Sequence, residues 1–484
     1  MRITSRKLKT FLVPLLVAAL FANFSVCCSA QDNAQSTRID PDTMQLSQGT
    51  KTDADTMQLA QGNRIDAGSM SSSPDSVDGL TNSIFQKEIQ FAKMTTTYRL
   101  NNSHETRVHK WLTATVSTGA YSTADAGNII TFTNAFRFRN HPQDLHRGTA
   151  ELGPFLIFLG ELMFVGRTMA ICTIDGIHNS QIRHEGFDRA TFEKNSNILE
   201  SDIHHMLDQR RQMIASNPDP SLVQEQAVLQ DISNSLTREF VRNYARASRI
   251  RANHLTENLV NNYTAATGAF VGGLLIYAAA RTSNPRLTGP AGIGFIASGC
   301  GFILKDFLAR RVSQHVEKKT TARLLAEHKA TEDPLKSLAT DTSGVTSRRK
   351  AGYDLMLKAL NRDVALSTTE NKEEWHKYLH DQTINGLEGL ANFAAGSILA
   401  EGGFHYQPVV SPLEKLARSR NFLSKFGAAA ITFTPTASGG MADTPLEAIY
   451  GEYKTHKDCQ DGLCPKVGLA DRMTMLDQAE ATAK

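Results

Sequence analysis

Six apolar runs stand out along the chain, at 112–136, 152–174, 264–280, 287–304, 384–404 and 422–437, separated by polar stretches with helical periodicity. The third and fourth are the cleanest, 17 and 18 residues without a charge, at the lower limit for crossing a hydrocarbon core of about 30 Å. The run at 152–174 is strongly apolar except for Glu161 and Arg167. The other three are rich in Gly, Ala and Thr and carry Asp125, Glu388, Glu401 and Lys425. Taken in order, the six fall into three pairs joined by short links. The second member of each pair opens near a proline, at Gly153-Pro154, Gly289-Pro290 and Ser411-Pro412, as suits a first helical turn whose N–H groups need no partner. Small residues four apart, Gly268 with Gly272 and Ala297 with Gly301, let helix backbones approach closely, as membrane helices do.

Two long polar segments carry a different pattern. Phe192, Leu199, Met206 and Met213 recur every seven positions in 188–215, with Ile203 beside them. Leu222, Leu229 and Leu236 do the same in 221–259, with Ile232 between. Each set lines an apolar stripe on a helix. The SNPDPS between them, with Pro218 and Pro220, breaks the helix because proline lacks an N–H and clashes with the preceding turn. An antiparallel helical hairpin is expected. A second one runs from Lys305, breaks at Asp333-Pro334 and resumes through Tyr353, Met356, Leu360 and Val364.

The pattern predicts an all-α fold, a polytopic helical membrane protein of two to six membrane helices arranged as hairpins, with extramembrane antiparallel helical-hairpin insertions. The expected divisions are a signal peptide (1–30), a tether (31–84), a first membrane hairpin region (85–176), a helical insertion (177–262), a membrane hairpin (263–304), a second insertion (305–383), a weaker third membrane hairpin (384–440) and a polar tail (441–484). The signal peptide rests on Arg2, Arg6, Lys7 and Lys9 ahead of an apolar run and a small-residue end at Ala30. The tether lacks aromatic residues and repeats DPDTMQLSQG (from Asp40) as DADTMQLAQG (from Asp53). Such a composition buries too little apolar surface to offset ordering entropy.

Charge sharpens the topology more than the function. With 52 basic and 49 acidic residues, the net charge of +3 points to no nucleic-acid partner. An exported amino terminus and paired crossings place the insertions and tail outside the cytoplasm. The short links carry Arg137, Arg139 and Arg147, Arg281 and Arg286, and Lys415, Arg418 and Arg420, which fits the cytoplasmic bias of basic loops. Lys305, Arg310 and Arg311 on the opposite side run against it.

Candidate chemistry is sparse. No phosphate-binding glycine loop, nucleophile elbow or zinc-protease motif occurs, and no cofactor is implied. Glu161 and Arg167 are charges inside an apolar run, where ionisable groups cost several kcal/mol unless paired or wet. Six residues apart, they face different sides of one helix. Glu373, His376 and His380 in EEWHKYLHD share a helix face and are the best metal-like set, while Trp375 and Tyr378 also suit a membrane interface. His141 and His146 are spaced as in the first histidine box of membrane desaturases, but the further boxes are missing, and His204-His205 lack an upstream histidine. Cys459 and Cys464 in CQDGLC suit a small disulfide loop in an oxidising compartment. The leading expectation is a membrane-anchored envelope protein, in contact with the lipid bilayer, whose outer helical hairpins bind a protein partner or a second copy without catalysis. The alternatives are a transporter or channel component using Glu161 and Arg167, and a membrane metalloenzyme using His376 and His380.

Overall fold

The computed structural model describes residues 76–102, 107–216, 218–328, 342, 345, 347–406, 411–460 and 465–483. The signal-peptide pattern, the repeats, the Asp333-Pro334 break and Cys464 lie outside them. Among the described residues all regular structure is helical: α1 (Val77–Asn102), α2 (Arg107–Phe138), α3 (Arg147–His184), α4 (Arg189–Ser216), α5 (Pro220–Val260), α6 (Thr267–Thr282), α7 (Thr288–Glu327), α8 (Ser347–Phe404), α9 (Pro412–Gln460) and α10 (Pro465–Ala483). Local chemistry sets several boundaries. Gly186, at φ 74°, turns the chain between α3 and α4. Pro220 opens α5 behind Asp219, whose carboxylate accepts from the Ser221 N–H at 2.9 Å. The first described helix begins at Val77, so the carboxyl end of the segment read as tether is helical.

Three helical stretches, within Arg147–Ser216, Pro220–Thr282 and Pro285–Glu327, are long and apolar enough to cross a membrane. They carry the three strongest apolar runs.

The helices holding the six runs pack in a closed ring, each antiparallel to its neighbours. Along α2 and α3, Gly127 faces Gly153 while Ala120 and Ala124 face Gly160. On its other side α3 meets α6 through Phe155 and Phe158 on Tyr277, and Glu151 pairs with Arg281 at 2.8 Å. The α6–α7 contact sets Gly268 against Gly294, and the α7–α8 contact sets Gly299 against Gly389. Helices α8 and α9 are tied by Glu401–Lys425 at one end and Glu373–Lys454, 3.0 Å, toward the other. The ring closes where Gly440 of α9 lies on Tyr121 of α2 and Glu452 accepts from the Trp111 indole. All three short links lie at one end. Toward that end the interior is filled by an apolar cluster that includes Ile157, Ile276, Ala291, Phe295 and Leu399, with Phe433 at its inner edge.

The polar segments form a cap at the other end. Its core gathers α1 (Ile84, Phe91), α4 (Phe192, Ile203), α5 (Leu229, Leu236, Phe240), α8 (Tyr353, Met356, Leu360) and α10 (Leu476, Ala479). Two features differ from the sequence pattern. The expected insertions are extensions of the ring helices: α5 runs into α6 through a π turn, Asn261–Ala266, and α7 and α8 each traverse ring and cap unbroken. On α4 the buried face is Phe192, Ser196, Glu200, Ile203, Leu207, Arg210 and Ile214. A straight helix of 3.6 residues per turn drifts off a strict seven-residue stripe, so Leu199 and Met206 sit at the margin.

Burial in the cap includes charge. Asp363 is ion-paired to Arg99, Arg242 and Arg472, and Arg472 also pairs with Glu239 at 2.5 Å. Arg210 is fully buried and pairs with Glu225 at 2.6 Å. Glu88 is also fully buried, but neither of its carboxylate oxygens has a hydrogen-bond partner among the described residues.

Candidate central cavity

Five of the six ring helices place polar residues on the inner face, α6 contributing only Ala269. On α2 these are Ser117, Tyr121 and Asn128; on α8 they are Asp381, Asn385, Glu388 and Asn392. The α8 series steps by three or four residues and the α2 series by four and then seven, each along one face. The outer face is apolar, with Leu162, Ile293, Leu390, Phe393 and Ile431 exposed. This pattern inverts that of the cap, whose apolar faces point inward.

The inward faces enclose a cavity of about 880 Å³ on the cap side of the apolar cluster, with Ala269 and Phe433 at its floor. Glu161 and Arg167 both line it. They do not pair with each other. Arg167 donates from Nη1 to Ser117 Oγ at 2.6 Å and lies over the Phe164 ring, 5.4 Å from its centroid. The Tyr121 hydroxyl donates to Glu388 Oε2 at 3.0 Å. Asn128 is 3% exposed, and its amide oxygen has no hydrogen-bond partner among the described residues. Above these groups Asp306 accepts from Asn385 Nδ2 at 2.8 Å, and the Glu373–Lys454 pair stands near the mouth. Burial pushes the Asp381 carboxyl up to about 6, with Glu447 and Asp306 adding to the effect.

Eight carboxylates line the cavity against five lysine or arginine side chains, so its field favours cations. Asn258, Asn261 and Ala266 reach the wall where α5 becomes α6. The π turn falls there, a feature frequent at functional sites because it re-aims side chains within a helix. Pro435 and Pro445 lie inside α9 along the same wall, each removing one helix hydrogen bond.

Two separate sequence candidates therefore converge: Glu373, His376 and His380 line the same cavity as Glu161 and Arg167. Glu373 is engaged by Lys454 and His380 lies 3.6 Å from Asp443. Among the described residues no group of three His, Cys, Asp or Glu side chains is gathered to hold a metal ion. His141, His146 and His205 are exposed, the first two on a short link, and His204 is half-buried on α4. Cys459 is disulfide-bonded. Tyr121, Asn128, Asp381 and Asn392 were not among the sequence candidates. Their signal is polar residues three or four apart within otherwise apolar or small-residue helices. No family model, curated protein or solved structure matches the chain.

Proposed function

We propose that the ring is embedded in a membrane and that the chain passes or binds a small polar solute through the central cavity, as a transporter or channel component. The observation that carries this reading is the inversion of polarity: apolar side chains outside, a charged cavity inside. In water such an outer face would be a costly contiguous patch. In a bilayer the ionisable residues of the apolar runs must turn inward to a wet or paired site, which is where Glu161, Arg167 and Glu388 stand. The ring helices, each antiparallel to the next, then serve as three membrane hairpins, and the cap lies on the side to which the cavity opens.

Leu229 and Leu236, on the apolar stripe of the helical hairpin expected to bind a partner, are fully buried in the chain's own cap, so that stripe is not the surface a partner would meet. Charged substitutions there would unfold the cap rather than release a partner.

The test uses protein reconstituted in lipid vesicles, with Cys172 and Cys300 replaced by serine. A small water-soluble thiol reagent should modify Asn392→Cys, on the cavity wall, and spare Leu390→Cys, on the outer face. Equal reactivity would remove the membrane reading. An unreactive position 392 would remove the aqueous cavity. Neutral Glu161→Gln and Arg167→Gln variants should abolish solute flux while keeping the vesicle-bound fold.

A further inference from the structure

The polar groups of the cavity form an ordered ladder. The α2–α3 register sets Ala124 opposite Gly160, so Glu161 stands near that level and Asn128 one turn closer to the floor. Tyr121, one turn toward the mouth, holds Glu388, and Ser117, one turn further, holds Arg167. From floor to mouth the sequence is amide, carboxylate, carboxylate, guanidinium. Glu161 and Glu388 lie within electrostatic reach of one another, and Glu388 also within reach of Lys305 and Arg167, but neither carboxyl forms an ion pair with a described residue. Asn128, almost wholly buried on the cavity wall, has an amide oxygen without a hydrogen-bond donor.

Two carboxyl groups without an ion pair and an orphaned acceptor in one enclosed space suit a cation that also donates hydrogen bonds. A metal ion fits poorly, because no three ligating side chains converge among the described residues and the cavity of about 880 Å³ is far larger than an ion. An ammonium group fits: it carries one positive charge and three donors, matching Glu161, Glu388 and Asn128.

We propose that the cavity binds a small amine, its ammonium seated on Glu161, Glu388 and Asn128, with the rest of the molecule extending toward Arg167. The inference rests on the solute-binding reading above and names the solute's class. If the far end of the molecule is a carboxylate, Arg167 meets it; if it is a second ammonium, Arg167 opposes it and the acidic groups nearer the mouth receive it.

The experiment is calorimetric titration of the full chain in lipid nanodiscs with putrescine, γ-aminobutyrate and acetate. At least one of the two amines should bind and acetate should not. Glu161→Gln and Asn128→Leu should each weaken the bound amine by about tenfold or more, with unchanged elution and helical content. Arg167→Gln then separates the sources: it weakens γ-aminobutyrate or strengthens putrescine. Failure of both amines, binding of acetate, or indifference to Glu161→Gln and Asn128→Leu overturns the proposal. If position 392 remains open to the thiol reagent in that case, the aqueous cavity stands and only the solute class falls.

Discussion

At the scale of single residues, the cap holds two buried carboxylates in opposite circumstances. Glu88 has no partner, and burial pushes its carboxyl well above the ordinary carboxylate range. The folded protein therefore keeps a proton that the unfolded chain releases. Stability is full below the unfolded value, about 4.3, and falls as pH rises toward the raised folded value. Glu88→Gln should thus be more stable than the parent near neutral pH, by about 1–3 kcal/mol, with the gain vanishing toward about pH 4. Thermal unfolding across that range measures it; a pH-independent difference would contradict the assignment. Asp363 is the reverse. Arg99, Arg242 and Arg472 hold its carboxyl well below the ordinary range despite its burial. Its contribution is present above the ordinary carboxylate value and is lost as pH falls through the depressed one. Asp363→Asn leaves three guanidiniums short of a counter-charge and should cost about 3–5 kcal/mol, read as a lowered unfolding midpoint.

At the scale of elements, the ring interfaces depend on glycine. A Cβ on Gly389 would lie 2.6 Å from the carbonyl oxygen of Gly299 and equally close to the Ile303 side chain, whereas one on Gly386, a turn away on the same helix, would meet nothing within 4 Å. The same substitution should therefore have opposite signs. Gly389→Ala forces α7 and α8 apart and should destabilise by about 1–3 kcal/mol, while Gly386→Ala should stabilise slightly through helix propensity, by up to about 1 kcal/mol. Melting curves of the two variants in one detergent decide it, and matching shifts would deny the close α7–α8 approach. The same contrast marks what the sequence discloses. Apolar runs, prolines and small-residue spacing announce where the helices are, because those signals are local. Which glycine faces which is a property of two distant segments. The cavity was legible only in part: Glu161 and Arg167 are conspicuous as charges in a strongly apolar run, but Asn128 and Tyr121 are ordinary residues until ring closure by α9 against α2 puts them inside.

At the scale of the whole molecule, cap and ring are mechanically continuous, since the α5–α6 helix, α7 and α8 cross from one to the other. At 58 residues α8 is about 87 Å long, far beyond a bilayer's thickness, so a tilt in the cap is carried into the cavity wall.

This continuity also fixes the proposed orientation as a single unit. The short links at the far end hold Arg137, Arg139, Arg147, Arg281, Arg286, Lys415, Arg418 and Arg420, a concentration that favours the cytoplasmic side. The basic residues on the cap side, Lys305, Arg310 and Arg311, weigh less there: Arg310 stacks on Trp375 and Tyr378, each at 4.2 Å, and Lys305 lines the cavity. The charge of Lys305 and Arg310 is used inside the fold instead of being displayed on a free loop, and only Arg311 is exposed among the three. Gly148 at the link end and Val223 on the cap are both exposed, and a Cβ at Gly148 would meet nothing within 4 Å. In intact cells expressing the full chain, a membrane-impermeant thiol reagent should label Val223→Cys and leave Gly148→Cys unmodified until the cells are opened. The opposite pattern would invert the orientation while keeping the helical ring; labelling of both in sealed cells would remove the bilayer from between them.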